Sequence, residues 1–121
     1  MRESAMLQGY QSIATEGEFA EALSQSTERP VVIYKHSATC ELSEVAQHEM
    51  CALQKGGGPA VFEIVVQTAR PLSNHVEEYF GIRHESPQVI VVHKGQPVFN
   101  ASHLKVTETT VQEAISALAE S

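Results

Sequence analysis

"PVVIYKHSATCELSEVAQ", residues Pro30 to Gln47, sets a continuous apolar run in front of a cysteine and then a helical pattern. The run Val31 to Tyr34 is rich in β-branched side chains and does not alternate with polar ones, the signature of a strand covered on both faces. From Cys40 onward Leu42, Val45, Ala46, Met50 and Leu53 recur at helical spacing, so one face of a helix is expected to point at the core.

Cys40 therefore falls where strand gives way to helix. In the first turn of a helix a cysteine meets backbone N–H groups that lack intrahelical partners and the positive end of the helix dipole, both of which favour the nucleophilic thiolate. Lys35 and His36 are basic residues close by in sequence, though alternation along the strand leaves open which way they point, while Glu41 and Glu44 oppose ionisation, since carboxylates beside a sulfur disfavour it. Ser43 follows about one helical turn later, where its hydroxyl is placed to donate a hydrogen bond to the thiolate or to a bound disulfide. It offers no second sulfur. A Cys-x-x-Cys pair releases its partner by internal attack, whereas Cys-x-x-Ser must wait for an external thiol, so the spacing predicts a reaction that halts at a mixed disulfide. Cys51 lies about three turns, or ~16 Å, further along the same helix, beyond the ~7 Å Cα separation a disulfide tolerates. It is read as a small packed hydrophobe. On its own, Cys40 is equally compatible with a packed thiol at a helix start.

The flanking sequence extends the pattern. "YQSIAT" is expected to be a short strand, and "TEGE", Thr15 to Glu18, has capping-box spacing ahead of a helix that buries Phe19, Ala22 and Leu23. The glycines of "KGGGP" end the cysteine helix. "AVFEIVV" reads as another buried strand, and "ARPLSNHVEEYFG" carries a proline suited to a first helical turn and a glycine suited to a helix end. "QVIVVH" and "PVFNAS", joined by "KGQ", read as a hairpin. Thr107 is placed to cap a last helix with Val111, Ala114, Ile115 and Leu118 inside. The order βαβαβα followed by ββα implies an α/β fold, with a mixed, mainly parallel central sheet flanked by helices on both sides. Ligands of open α/β sheets bind beyond the carboxyl ends of strands, where the connection from Tyr34 to Cys40 lies.

The 121 residues suit one domain, 1–121, with residues 1–9 read as a loose tail. A formal net charge of −7 opposes binding to a phosphate backbone, and no apolar run approaches the ~20 residues that span a bilayer. Neither nucleic acid nor membrane is an expected partner. The first residues lack a signal-peptide core, and two cysteines are too few for a secreted disulfide scaffold, so the expectation is a cytoplasmic protein. The six histidines have no paired ligand spacing, and neither a metal nor a resident cofactor is expected. Ser86-Pro87 precedes the strand "QVIVV"; proline there belongs at a strand's start or in a special turn. A cis bond would expose the Ser86 backbone to a ligand, and the dipeptide alone leaves cis and trans open.

Taken together, "YKHSATCELS", "LSNHVEEYFGIRHESPQVIVVHKGQ" and "ASHLKVTE" resemble the monothiol bacilliredoxin family, thioredoxin-like proteins of the bacillithiol system, over nearly the whole chain. The resemblance implies a thioredoxin-like three-layer α/β/α sandwich, Cys40 as attacking thiol with Ser43 and Thr39 beside it, and Pro87 in cis. It implies reduction of mixed disulfides between protein cysteines and a small thiol, bacillithiol, which serves as co-substrate. Ser86 would contact the bound thiol through its backbone, and the loop Ala101 to His103 would meet its far end. Because the bacillithiol head group carries carboxylates, Arg83, His84, His103 and Lys105 are candidate contacts. Expected partners are bacillithiol-capped proteins and the small thiol, with the chain a monomer or weak dimer. Two residues depart from the family's common pattern: Glu41 follows the cysteine in place of proline or glycine, and Leu104 replaces an aromatic residue. The alternatives are a non-catalytic module that binds a partner beside Pro87, and a thiol redox sensor.

Overall fold

A computed structural model of the chain describes residues 9–119. The tail read over residues 1–9 lies, apart from Gly9, outside the described residues. The elements run β1 (Tyr10–Ser12), α1 (Glu16–Gln25), β2 (Val31–His36), α2 (Glu41–Lys55), β3 (Val61–Val65), α3 (Arg70–Phe80), β4 (Gln88–His93), β5 (Gln96–Ser102), a 3-10 turn (His103–Lys105) and α4 (Glu108–Ala119).

The strands form one mixed sheet in the order β1-β3-β2-β4-β5. β1 and β2 run parallel to β3, while β4 is antiparallel to both β2 and β5. Alternate residues of each strand feed two separate cores. Val31 and Ile33 of β2 with Ile90 and Val92 of β4 pack under α1 and α3, against Phe19, Leu72 and Val76. Val32 and Tyr34 with Val89 and Val91 pack under α2 and α4, against Ala46, Met50, Leu53 and Val111. With both faces covered, every residue of β2 is buried, which is why that strand reads as an uninterrupted apolar run.

The helix boundaries follow local chemistry. Thr15 and Glu18 form the expected capping box, each satisfying a backbone N–H of the other. α3 opens with proline in its first turn and stops at Gly81, whose left-handed φ of 70° would strain any side chain. Thr107 accepts from the N–H of Thr110 at 3.1 Å, capping α4 as expected. The hairpin between β4 and β5 turns on Lys94 and Gly95, both at positive φ, as a two-residue loop of this kind requires. One expectation is corrected in α2. Its buried side chains are Ser43, Ala46, Met50 and Leu53, whereas Leu42 is 36% and Val45 60% exposed. At about 100° per residue, a stripe centred on 43, 46, 50 and 53 leaves Leu42 on its flank and turns Val45 toward the outer face.

Candidate active site

Three strand ends meet at one edge of the sheet. Lys35 of β2 pairs with Gln88 of β4, and Gln88 pairs in turn with Ser102 of β5. The turn that follows β2 carries Cys40, the segment that precedes β4 carries Ser86 and Pro87, and the segment after β5 carries His103. The topology thus gathers the loops in which the sequence places its candidates.

Cys40 is half-buried and is the N-cap of α2, one residue before the first turn in which the sequence reading put it. Its backbone is extended and its carbonyl accepts from Ser43 N–H at 3.0 Å and Glu44 N–H at 3.4 Å, closing the first turn. Its side chain makes no capping bond, so the sulfur is not consumed by the helix end. The approach to Cys40 is braced from three sides. Cys40 N–H donates to the Ser37 carbonyl at 3.3 Å, Ser37 N–H donates to Ser43 Oγ at 3.1 Å, and Ala38 N–H donates to Gln67 Oε1 at 2.9 Å. The Gln67 amide also donates to Ser37 Oγ at 2.9 Å and to Thr39 Oγ1 at 3.4 Å.

Ser43 itself has no exposed surface. Among the described residues its Oγ bonds the Ser37 amide, and no hydrogen bond joins it to the Cys40 sulfur. Thr39 is exposed at the turn, braced by Gln67 and by Ser37 Oγ at 3.4 Å. Gln67 was not legible as a site residue, since 28 residues separate it from Thr39 and no local pattern links them.

The Ser86–Pro87 peptide is cis, Pro87 is buried and Ser86 half-buried. Pro87 carbonyl accepts from His103 N–H at 2.9 Å, tying the loop after β5 to the proline segment. His103 is exposed, at φ 58°, and its Nε2 lies 3.4 Å from Glu85 Oε1. Arg83 is also exposed; its carbonyl is held by the Gln88 side-chain amide at 2.9 Å, and among the described residues its guanidinium forms no ion pair. Lys105 is likewise exposed and unpaired among them. Beside His103 a groove of about 710 Å³ is lined by Phe99, Ala101, Ser102, Leu104 and Lys105. A larger concavity of about 860 Å³, lined by Gly9, Gln25, Arg29, Gln54 and Pro59, contains neither cysteine.

His84 is placed differently from the other candidate contacts. It turns inward, where Lys35 Nζ donates to its Nδ1 at 3.1 Å and to the Ser73 carbonyl at 3.0 Å. Lys35 has no exposed surface, and burial brings its ammonium down to about 8, partly offset by Glu77. Burial, and after it the Lys35 charge, holds His84 below the usual histidine range. On the other face of the sheet Tyr34 hydroxyl bonds the Ser43 carbonyl at 2.8 Å, and Glu63, 5% exposed, accepts from Tyr10 hydroxyl at 2.6 Å and from the Gln47 amide at 3.2 and 3.3 Å. None of these buried polar partners was foreseen from the sequence. A lysine at the end of an apolar run is the signal that could have marked the first.

The architecture is shared with solved thioredoxin-fold proteins. One such protein is 23% identical with a TM-score of 0.79, covering 88% of this chain and 93% of that one. A mutant thioredoxin from Halobacterium salinarum NRC-1 is 16% identical with a TM-score of 0.75, covering 91% of this chain and 90% of that one. Reduced thioredoxin pre-protein from Schistosoma mansoni is 13% identical with a TM-score of 0.73, covering 89% and 96%. The fold is the thioredoxin fold. The pattern described as monothiol bacilliredoxin BrxC matches residues 11–111, and the chain belongs to that family of thiol-redox proteins. Among the described residues no helix is long and apolar enough to cross a membrane.

Proposed function

We propose that the protein is a monothiol oxidoreductase that removes bacillithiol from protein cysteines through Cys40. The observation that carries the reading is the position of Cys40: half-buried at the N-cap of α2, with a sulfur that makes no capping bond and with Ser43 in place of a second cysteine. The Cys40 thiolate attacks the bacillithiol sulfur of the mixed disulfide; a new S–S bond joins Cys40 to bacillithiol, the old one breaks, and the substrate cysteine leaves as a thiolate. A second thiol, bacillithiol or another redoxin, then frees Cys40 by the same exchange. Ser86, beside the cis proline, is the proposed backbone contact for the bound thiol. Arg83, His103 and Lys105 are exposed basic side chains on the two loops that flank it and suit the head-group carboxylates. His84, turned inward onto Lys35, acts in this reading by holding the loop and not by contacting ligand.

The test mixes reduced protein with oxidised bacillithiol and weighs the intact chain. One bacillithiol adduct is expected on the wild type and on Cys51→Ser, and none on Cys40→Ser. A wild-type chain that takes no adduct refutes the reading. Parallel runs with cystine and oxidised glutathione identify the preferred thiol.

A further inference from the structure

Resting on the reading of Cys40 as the attacking thiol, a second residue of the site follows from proton counting. Tyr34 Oη lies 2.8 Å from the Ser43 carbonyl oxygen and 2.9 Å from His36 Nδ1. A phenol has one proton and a carbonyl only accepts, so that proton points at Ser43. Toward His36 the tyrosine oxygen is then the acceptor, and Nδ1 must carry the hydrogen. The phenol stays protonated: burial, then the charge of Glu63 and then that of Cys40, push its ionisation well above the usual tyrosine range.

Neutral His36 is therefore the Nδ1–H tautomer, and its Nε2 holds the basic lone pair. Among the described residues Nε2 has no hydrogen-bond partner. The one side-chain polar atom sealed from solvent without a partner among the described residues is Gln88 Oε1; Nε2 is not sealed in this way, although His36 as a whole is only 8% exposed. His36 stands at the end of β2, where the Ser37 to Cys40 turn doubles the chain back, closed by the 3.3 Å bond from Cys40 N–H to Ser37 carbonyl. Through the Tyr34 hydroxyl, His36 is tied to the Ser43 carbonyl in the first turn of α2, the turn that Ser43 N–H closes onto the Cys40 carbonyl at 3.0 Å. His84 has the opposite arrangement, with Nδ1 accepting from Lys35, and is not set up in this way.

We propose that His36 is the proton carrier of the site: Nε2 takes the proton of the Cys40 thiol, directly or through one solvent molecule, and returns it to the substrate sulfur that leaves. The proton balance closes within the exchange, since the thiol proton lost by Cys40 is the one gained by the departing cysteine. The titratable groups that act on Tyr34 and its partner are Glu63 on β3, Cys40 at the N-cap of α2 and Cys51 within that helix, whose first turn also carries the exposed Glu41 and Glu44.

His36→Asn separates the two nitrogens, because an asparagine amide can donate to Tyr34 in place of Nδ1–H while nothing replaces Nε2. The rate of bacillithiol transfer onto Cys40 is followed from pH 5.5 to 10, with the thermal midpoint as a control on folding. The variant is expected to fold normally and to react at least ~10-fold more slowly than wild type near pH 7, in the lower part of the range for acid–base assistance. The gap is expected to close at high pH, where the thiol ionises unaided. Equal rates for variant and wild type across the range overturn the proposal. Should the variant not fold, ¹⁵N spectra of the wild-type imidazole decide: a protonated Nδ1 with unprotonated Nε2 is expected, and the reverse tautomer overturns it. If the wild type takes no adduct while the tautomer is as expected, the failure lies with the function assigned to Cys40, and the carrier role falls with it.

Discussion

Lys35 Nζ sits 3.1 Å from His84 Nδ1, so the strand that leads to the cysteine is pinned to the loop that leads to the cis proline. Both groups resist protonation in the folded chain, Lys35 down to about 8 from 10.5 and His84 below 6.5. Between each folded value and its unfolded one, the unfolded chain binds more protons, so stability rises with pH there. For Lys35 that window runs from about 8 to 10.5; for His84 it lies below 6.5, so acidification destabilises. Across the upper window wild type is expected to gain up to about 3 kcal/mol relative to Lys35→Met, the order of magnitude a shift of this size implies. Urea unfolding of the two proteins from pH 7 to 10.5 measures it, and a gap independent of pH contradicts the burial of a titrating amine.

Ser43 braces the cysteine turn from below. Its Oγ accepts the buried Ser37 N–H, and Ser43→Ala leaves that donor without a partner, at a cost of about 1–3 kcal/mol. Denaturant unfolding is expected to register that loss. An unchanged midpoint would mean the turn repairs itself without the hydroxyl.

On the far side of the sheet Tyr10 fastens β1, an edge strand of three residues, to the buried Glu63 carboxylate at 2.6 Å. Removing a hydrogen bond to a buried carboxylate is expected to destabilise Tyr10→Phe by about 1.5–3 kcal/mol. Amide hydrogen exchange should quicken first at Tyr10 to Ser12, before the central strands are affected. Uniform loosening of all five strands would show that β1 is not held by this bond.

Glu85 Oε1 lies 3.4 Å from His103 Nε2, with both side chains partly exposed. Such a pair contributes little stability, so Glu85→Gln is expected to alter unfolding by less than about 1 kcal/mol. If His103 contacts a carboxylate of the small thiol, removing the competitor should lower the half-saturating concentration of a bacillithiol-capped substrate roughly two- to five-fold. Steady-state assays of both proteins test this, and an unchanged value separates His103 from substrate binding.

How far the sequence reaches is set by the range of each interaction. The apolar run before His36, the Thr15 to Glu18 capping box and the glycine after Phe80 are local rules, and the strands and helices stand where those rules put them. The inner face of α2 was misread at Leu42 and Val45 because hydrophobicity was taken for burial, while the small polar Ser43 occupies the central stripe. The partners of the cysteine turn were beyond reach for a different reason. Gln67 meets Thr39 across 28 residues and Lys35 meets His84 across 49, contacts that only the sheet order brings about. The opposite tautomers of His36 and His84 likewise depend on which neighbour already holds the available proton, and spacing along the chain carries no trace of that.

The most direct measurement of the central claim starts from a purified protein capped by bacillithiol at a single cysteine. It is mixed with one equivalent of this chain, reduced, with no other thiol present, and both masses are followed in time. The account predicts that the substrate loses one bacillithiol, that Cys40 gains it, and that the exchange then stops until bacillithiol is added. Transfer that proceeds unchanged in Cys40→Ser, or a substrate that keeps its cap beside the wild-type chain, would contradict it.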